Sequence, residues 1–168
     1  DSAIRYVMWD GLSWSSPVTV STAFSGYLDI AVDNGNRPHM TWYYYNETAG
    51  ESEVFYSGHD GTGWSVAEKI SASSDGNPVN PSIGIDSDGW PHVIYEDSLG
   101  GNVLYRFKGT TGWSSPVQLN LDSQYVQSNS IDLTLTPNNR AYAIWMAPSG
   151  GSTALFYNFA NISGISSD

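Results

Sequence analysis

This chain predicts an all-β protein built from a repeated four-stranded unit, and three observations carry the prediction. Short runs of β-forming residues are interrupted by Gly, Asn, Asp and Ser about every ten residues, the rhythm of antiparallel strands. No stretch sustains an apolar period of 3.6 over helical length. The chain also resembles itself. Trp14, Trp64 and Trp113 are 50 and 49 residues apart, and Tyr6, Tyr56, Tyr105 and Tyr157 recur at intervals of 50, 49 and 52.

The unit is clearest where three segments align without a gap: "IAVDNGNRPHMTW" (30–42), "IGIDSDGWPHVIY" (83–95) and "LTLTPNNRAYAIW" (133–145). In the middle copy, strand A is "PSIGID", strand B "PHVIY", strand C "NVLYRF" and strand D "WSSPVQL". Four short strands in about 50 residues suggest one blade of a β-propeller. In strand A, Ile30 and Val32, Ile83 and Ile85, and Leu133 and Leu135 form one face. Ala31, Gly84 and Thr134 alternate with them, so a bulky face opposes a small one and neighbouring sheets can interdigitate. Trp42, Tyr95 and Trp145 at one position of strand B add packing area.

Between strands A and B, Asp86-Ser87-Asp88-Gly89 invites a calcium-loop reading. Its counterparts are Asp33-Asn34-Gly35-Asn36 and Thr136-Pro137-Asn138-Asn139, so the third copy has lost both acids. Calcium takes six to eight oxygens, more than this turn offers. Asn, Asp and Gly are the residues of tight hairpins, and a hairpin is the expectation. No metal site and no cofactor is expected.

The repeat divides one domain over residues 1–168 into a half repeat (1–21), full repeats 22–71 and 72–120, and a partial repeat 121–168. Strands C and D open the chain and strands A to C close it, about three blades in total. A ring of blades needs roughly four to eight, and an open arc leaves sheet edges bare. Completion is expected from further copies, a dimer first and a trimer as the alternative, or from the remainder of a longer chain.

Seventeen acidic residues against six basic ones give a formal charge of −11. Such a surface repels nucleic acid and anionic lipid, and no apolar run reaches the roughly 20 residues of a membrane helix. There is no cysteine, which excludes disulfides and thiolate metal sites.

The turns between strands C and D, "VMWDGLSW" (7–14), "SGHDGTGW" (57–64) and "RFKGTTGW" (106–113), each place acid, Gly or Thr residues before a Trp. They resemble the Asp-box, or bacterial neuraminidase repeat, of sialidase-like and lectin propellers in bacterial secreted and surface proteins. Asp10-Gly11 and Asp60-Gly61 are adjacent rather than one residue apart, and the third copy lacks the Asp. The resemblance implies a propeller fold, an extracellular or cell-surface location, and a turn-bracing role for Asp10, Trp14, Asp60, Trp64 and Trp113. It implies no catalysis. The four arginines, Arg5, Arg37, Arg106 and Arg140, are not spaced to converge on a substrate carboxylate as sialidase chemistry requires.

His39 and His92 align with Tyr142 at the start of strand B, which favours packing or turn hydrogen bonding over catalysis, and His59 stands alone. The D–A and B–C loops are the longer ones and the expected recognition face. Tyr43, Tyr44, Tyr45 and Tyr125 offer flat apolar faces there, and Glu96, Asp97 and Asn102 offer hydrogen-bond partners, a mixture suited to sugars. The expected function is therefore a non-catalytic, lectin-like carbohydrate-binding module. A structural, self-assembling propeller piece is the alternative, and a polysaccharide-active lyase or glycosidase a third. Asn46-Glu47-Thr48 and Asn161-Ile162-Ser163 match the short glycosylation pattern.

Overall fold

The computed structural model describes residues 3–24, 26–120, 126, 131–149 and 152–161. These residues form four antiparallel sheets in chain order. The first pairs β1 (Ile4–Tyr6) with β2 (Val18–Ser21). The second runs β3 (Gly26–Val32), β4 (Pro38–Asn46), β5 (Glu51–Gly58), β6 (Glu68–Lys69). The third runs β7 (Pro78–Ile85), β8 (Pro91–Asp97), β9 (Asn102–Gly109), with β10 (Gly112–Trp113) and β11 (Val117–Gln118) both on β9. The fourth holds β12 (Ile131–Leu135), β13 (Arg140–Ser149) and β14 (Ser152–Asn161). Among the described residues a single 3₁₀ turn, Ser73–Asp75, interrupts the strands. Among the described residues no helix is long and apolar enough to cross a membrane.

The repeat of the sequence is a repeat of register. Ile30 faces Met40, Ile83 faces Val93 and Leu133 faces Ala143 across the A–B hairpins. Across the B–C pairs, Thr41 faces Tyr56, Ile94 faces Tyr105 and Ile144 faces Tyr157. In the third sheet the segment expected as one strand D is two short pieces. Pro116 lies between β10 and β11 and has no N–H to give a ladder.

The A–B turns are hairpins closed by their own side chains. Asp33 accepts the N–H of Gly35 at 2.8 Å and of Arg37 at 2.9 Å. Asp86 accepts those of Asp88 at 3.0 Å and Trp90 at 2.8 Å. In the third copy the Thr136 hydroxyl oxygen accepts the Arg140 N–H at 3.1 Å. A shorter side chain with a local acceptor can replace Asp there, which explains the loss of the acids.

Three apolar layers lie between the four sheets. Ile4 meets Met40 and Trp42; Val54, Tyr56 and Ile70 meet Ile83, Val93, Tyr95 and Leu104; Ile94 and Val103 meet Leu133, Ala143 and Trp145. The small face of strand A is used as expected. A side chain at Gly84 would collide with Leu135, so β7 and β12 approach through a glycine. The Ser82 hydroxyl on β7 lies within hydrogen-bond distance of both Asp29 on β3 and Asp132 on β12, with the first strands of three sheets side by side.

Candidate functional site

The end of strand A toward the D–A loops is irregular in two copies. Pairing slips between Gly26 and Leu28, and again between Val79 and Ser82. Within these bulges Tyr27 and Asn80, which occupy the same position of the repeat, have φ of 34° and 52°. Positive φ is costly for a side chain as bulky as Tyr, and bulges re-aim side chains. The result here is an open cleft of about 190 Å³ lined by Tyr27, Asp29, Asn80, Ser82, Ile131 and Asp132, among others.

The aromatic and polar lining groups are held by neighbouring residues. The Tyr27 ring is 55% exposed and is backed by Tyr43, with ring centroids 6.2 Å apart and planes 24° from parallel. A Cβ at Gly26 would sit 3.0 Å from the Tyr43 hydroxyl, so the glycine makes room for this stack. Asp29 accepts the Ser82 hydroxyl at 2.8 Å and the Ile83 N–H at 2.9 Å across the sheet boundary. Ser82 lies 3.2 Å from Asp132, and its oxygen accepts the Leu133 N–H at 3.1 Å. Asn80 donates to buried Glu96 at 3.1 Å.

The residues expected at the recognition face divide between this cleft and the loops around it. Tyr43 stands behind Tyr27 rather than in front of it. Tyr44 is half-buried and Tyr45 exposed, at the end of β4. Glu96 is buried and orients Asn80. Asp97 is buried inside the B–C turn, accepting the N–H groups of Leu99 at 3.0 Å and Gly100 at 2.9 Å and the side-chain amide of Asn102 at 3.1 Å. Tyr125 lies outside the described residues. Sequence reasoning missed Tyr27, Asp29, Asn80, Ser82 and Asp132. One signal was available: Asp29, Ser82 and Asp132 align within strand A, where Asp is a poor strand former.

The opposite end of the sheets carries the C–D turns. Asp10 accepts the N–H groups of Leu12 and Ser13, both at 2.7 Å. Asp60 accepts those of Thr62 at 2.7 Å and Gly63 at 2.9 Å. These N–H donors lower the Asp10 pKa; with the Thr62 hydroxyl as the largest contributor, they bring Asp60 to about 2. Gly11, Gly61 and Gly112 adopt φ of 102°, 100° and 112° at equivalent turns, a conformation open to glycine. The turn tryptophans reach back to the preceding sheet. Trp64 meets Tyr6 edge-on at 5.3 Å, and Trp113 meets Tyr56 at 5.3 Å. Trp14, in the turn between β1 and β2, is exposed.

Behind these turns run two Asp–His–Tyr chains. His39 Nδ1 lies 2.6 Å from the Tyr56 hydroxyl, and Nε2 lies 3.6 Å from Asp33. His92 Nδ1 lies 2.6 Å from Tyr105, and Nε2 3.3 Å from Asp86. Burial lowers both histidine pKa values and raises those of Tyr56 and Tyr105. A second cleft of about 240 Å³ opens beside His39, between Arg37, His59 and Lys108. It exists because Gly58 stands where the other copy has Phe107, whose ring stacks on His92. Its cations are engaged: Arg37 pairs with Asp33 at 2.7 Å and Lys108 with Glu68 at 2.6 Å. Among the described residues no group of three or more His, Asp or Glu is placed to hold a metal ion.

No family model matches this chain, and no curated protein matches it. Solved structures do. A fucose lectin from Kordia zhangzhouensis, in complex with methyl-fucoside, is 16% identical over 84% of this chain and 99% of its own, with a TM-score of 0.49. That score is too low to bear on fold or ligand. A protein of unknown function from Dyadobacter fermentans DSM 18053 is 11% identical, with a TM-score of 0.69 over 96% of this chain. The match takes in 49% of the Dyadobacter chain, so this chain spans about half of that length. At the level of fold, then, the chain is similar to half of a larger Dyadobacter protein.

Proposed function

We propose that this chain is a non-catalytic binding module of the extracellular space or cell surface, taking carbohydrate at the Tyr27 cleft. One observation carries the reading: an exposed tyrosine ring, backed by a second, stands beside two carboxylates and a carboxamide in an open cleft. A sugar presents an apolar C–H face on one side and hydroxyl groups around its edge. Tyr27 suits the first, and Asp29, Asp132 and Asn80 suit the second. The strained φ of Tyr27 supports the choice, since such strain concentrates at ligand clamps. The second cleft is the weaker candidate because its charged groups already satisfy one another.

The scaffold we propose is an arc of propeller blades. Its support is the identical register of three successive hairpins and the side-by-side first strands. A second reading, a self-assembling structural piece, draws on a different observation. Ile30 and Val32 are 44% and 57% exposed, whereas Ile83 and Leu133, at the position of Ile30 in later copies, are 3% and 5% exposed.

A glycan array followed by calorimetric titration of the best hit tests the binding reading. Replacing Tyr27 with Ala removes the platform and is expected to weaken binding at least tenfold, about 1.4 kcal/mol, with the melting temperature little changed, because Ala keeps a Cβ at the same φ and the ring removed is exposed. Unchanged affinity in that variant would place any sugar elsewhere.

A further inference from the structure

The cleft has more acceptors than donors. Ser82 brings a single hydroxyl hydrogen and stands between two carboxylates, 2.8 Å from Asp29 and 3.2 Å from Asp132. It can donate to one of them at a time, and the shorter distance favours Asp29. Asp29 also holds the backbone N–H groups of Ile30 and Ile83. Asp132 is exposed, and the Leu133 N–H is the donor it holds when Ser82 turns to Asp29. No Lys, Arg or His lines the cleft among the described residues. All six Lys and Arg lie elsewhere: Arg37, Lys69, Arg106 and Lys108 pair with Asp33, Glu53, Asp75 and Glu68, while Arg5 is on β1 and Arg140 opens β13. The whole chain, at a formal charge of −11, adds a field of the same sign.

We infer that the cleft selects sugars that bring donors and no negative charge, and that an amino-bearing sugar is preferred over its neutral counterpart. The inference rests on the carbohydrate reading and adds the ligand's charge class to it. A hydroxyl donating to a carboxylate makes a charge-assisted hydrogen bond, and an ammonium group adds attraction to it. A uronate or sialate places a carboxylate beside Asp29 and Asp132 with no cation between them, a like-charge contact that interfaces avoid. Tyr27 is neutral and separates these classes less than the carboxylates do, because its ring takes the apolar C–H groups that sugars of each class present. Selection by charge therefore falls to Asp132, the carboxylate with the fewest protein donors.

The experiment is an array of matched neutral, amino-bearing and uronate- or sialate-bearing glycans at about 0.15 M salt, where screening of short contacts is incomplete. Wild type, Asp132→Asn and Tyr27→Ala are compared, with a thermal melt of each. Asp132 sits at the exposed rim, so Asp132→Asn keeps its shape and is expected to fold.

Wild type should favour amino-bearing over acidic glycans by at least about tenfold, with neutral glycans between them. Asp132→Asn should compress that spread several-fold, and Tyr27→Ala should lower all three classes together. Acidic glycans binding on a par with the others, or an unchanged spread in Asp132→Asn, would overturn the charge selection and leave the carbohydrate reading standing. Silence from every class would overturn both.

Discussion

Asp33 shows how much of the molecule rests on single side chains. Burial opposes its ionisation, but the N–H groups of Arg37 and Gly35 and the Arg37 guanidinium outweigh that and hold its pKa at about 2. The folded value lies below the ordinary 3.8, so its contribution is complete above pH 4 and is lost as the pH falls toward 2. His39 and His92 act one step higher on the pH scale. Burial lowers both below 6.5, so below that pH the unfolded chain takes up protons that the folded one refuses. The melting temperature is therefore expected to fall between pH 7.5 and 5. His92→Gln removes one of the two titrations and should flatten the slope over that window. A slope as steep as the parent's would mean that His92 does not carry it.

At the scale of the element, the hairpin is the unit that repeats, and its faces do different work. The bulky face of strand A is core: Ile83 is buried among Val93, Tyr95 and Leu104. An Ile83→Asp change puts a carboxylate there without a partner and is expected to cost about 3–5 kcal/mol. A melt within two degrees of the parent would refute the facing of β7. The small face sets how closely sheets approach. Gly84→Val forces a side chain into Leu135 and is expected to cost about 1–3 kcal/mol by overpacking. Chemical denaturation of the two variants, compared at equal slope, separates these effects.

Across the whole molecule, the layers that the sheets make with one another stop at both ends. Leu155 and Tyr157 are 67% and 73% exposed on β14, while Val103 and Tyr56 at equivalent positions are at 0% and 6%. At the other end Ile30, Val32 and Trp14 are bare. Apolar area of this kind is worth about 25 cal/mol per Å² when covered. We propose that these faces are covered either by copies of this chain, most simply in a dimer of twice its 18.3 kDa, or by the remainder of a longer chain. Light scattering at micromolar concentration reads the mass directly. A stable monomer would exclude completion by copies of this chain. Leu155→Glu should dissociate the assembly and leave the melt of each chain nearly unchanged.

The all-β class, the faces of strand A and the A–B turns were legible in the amino-acid sequence, because they are properties of local alternation and of turn chemistry, whereas the division of strand D in the third sheet was not. Trp and Tyr spacing showed the period, the alternation of Ile83 and Ile85 with Gly84 showed the faces, and Asn, Asp and Gly showed the turns. A bracing role for Asp10 and Asp60 was implied by the resemblance alone; the hydrogen-bond partners of both lie two and three residues away. The cleft was not legible. Asp29, Ser82 and Asp132 are about 50 residues apart in sequence and meet only because the first strands of three sheets stand side by side. Nothing in the local sequence marks Tyr27, which lies in the bulge of β3, and Asp97, expected at the recognition face, is enclosed by its own turn. Local patterning decides which backbone a segment adopts, whereas the meeting of distant polar groups depends on how the sheets pack, and that information resides in no single repeat.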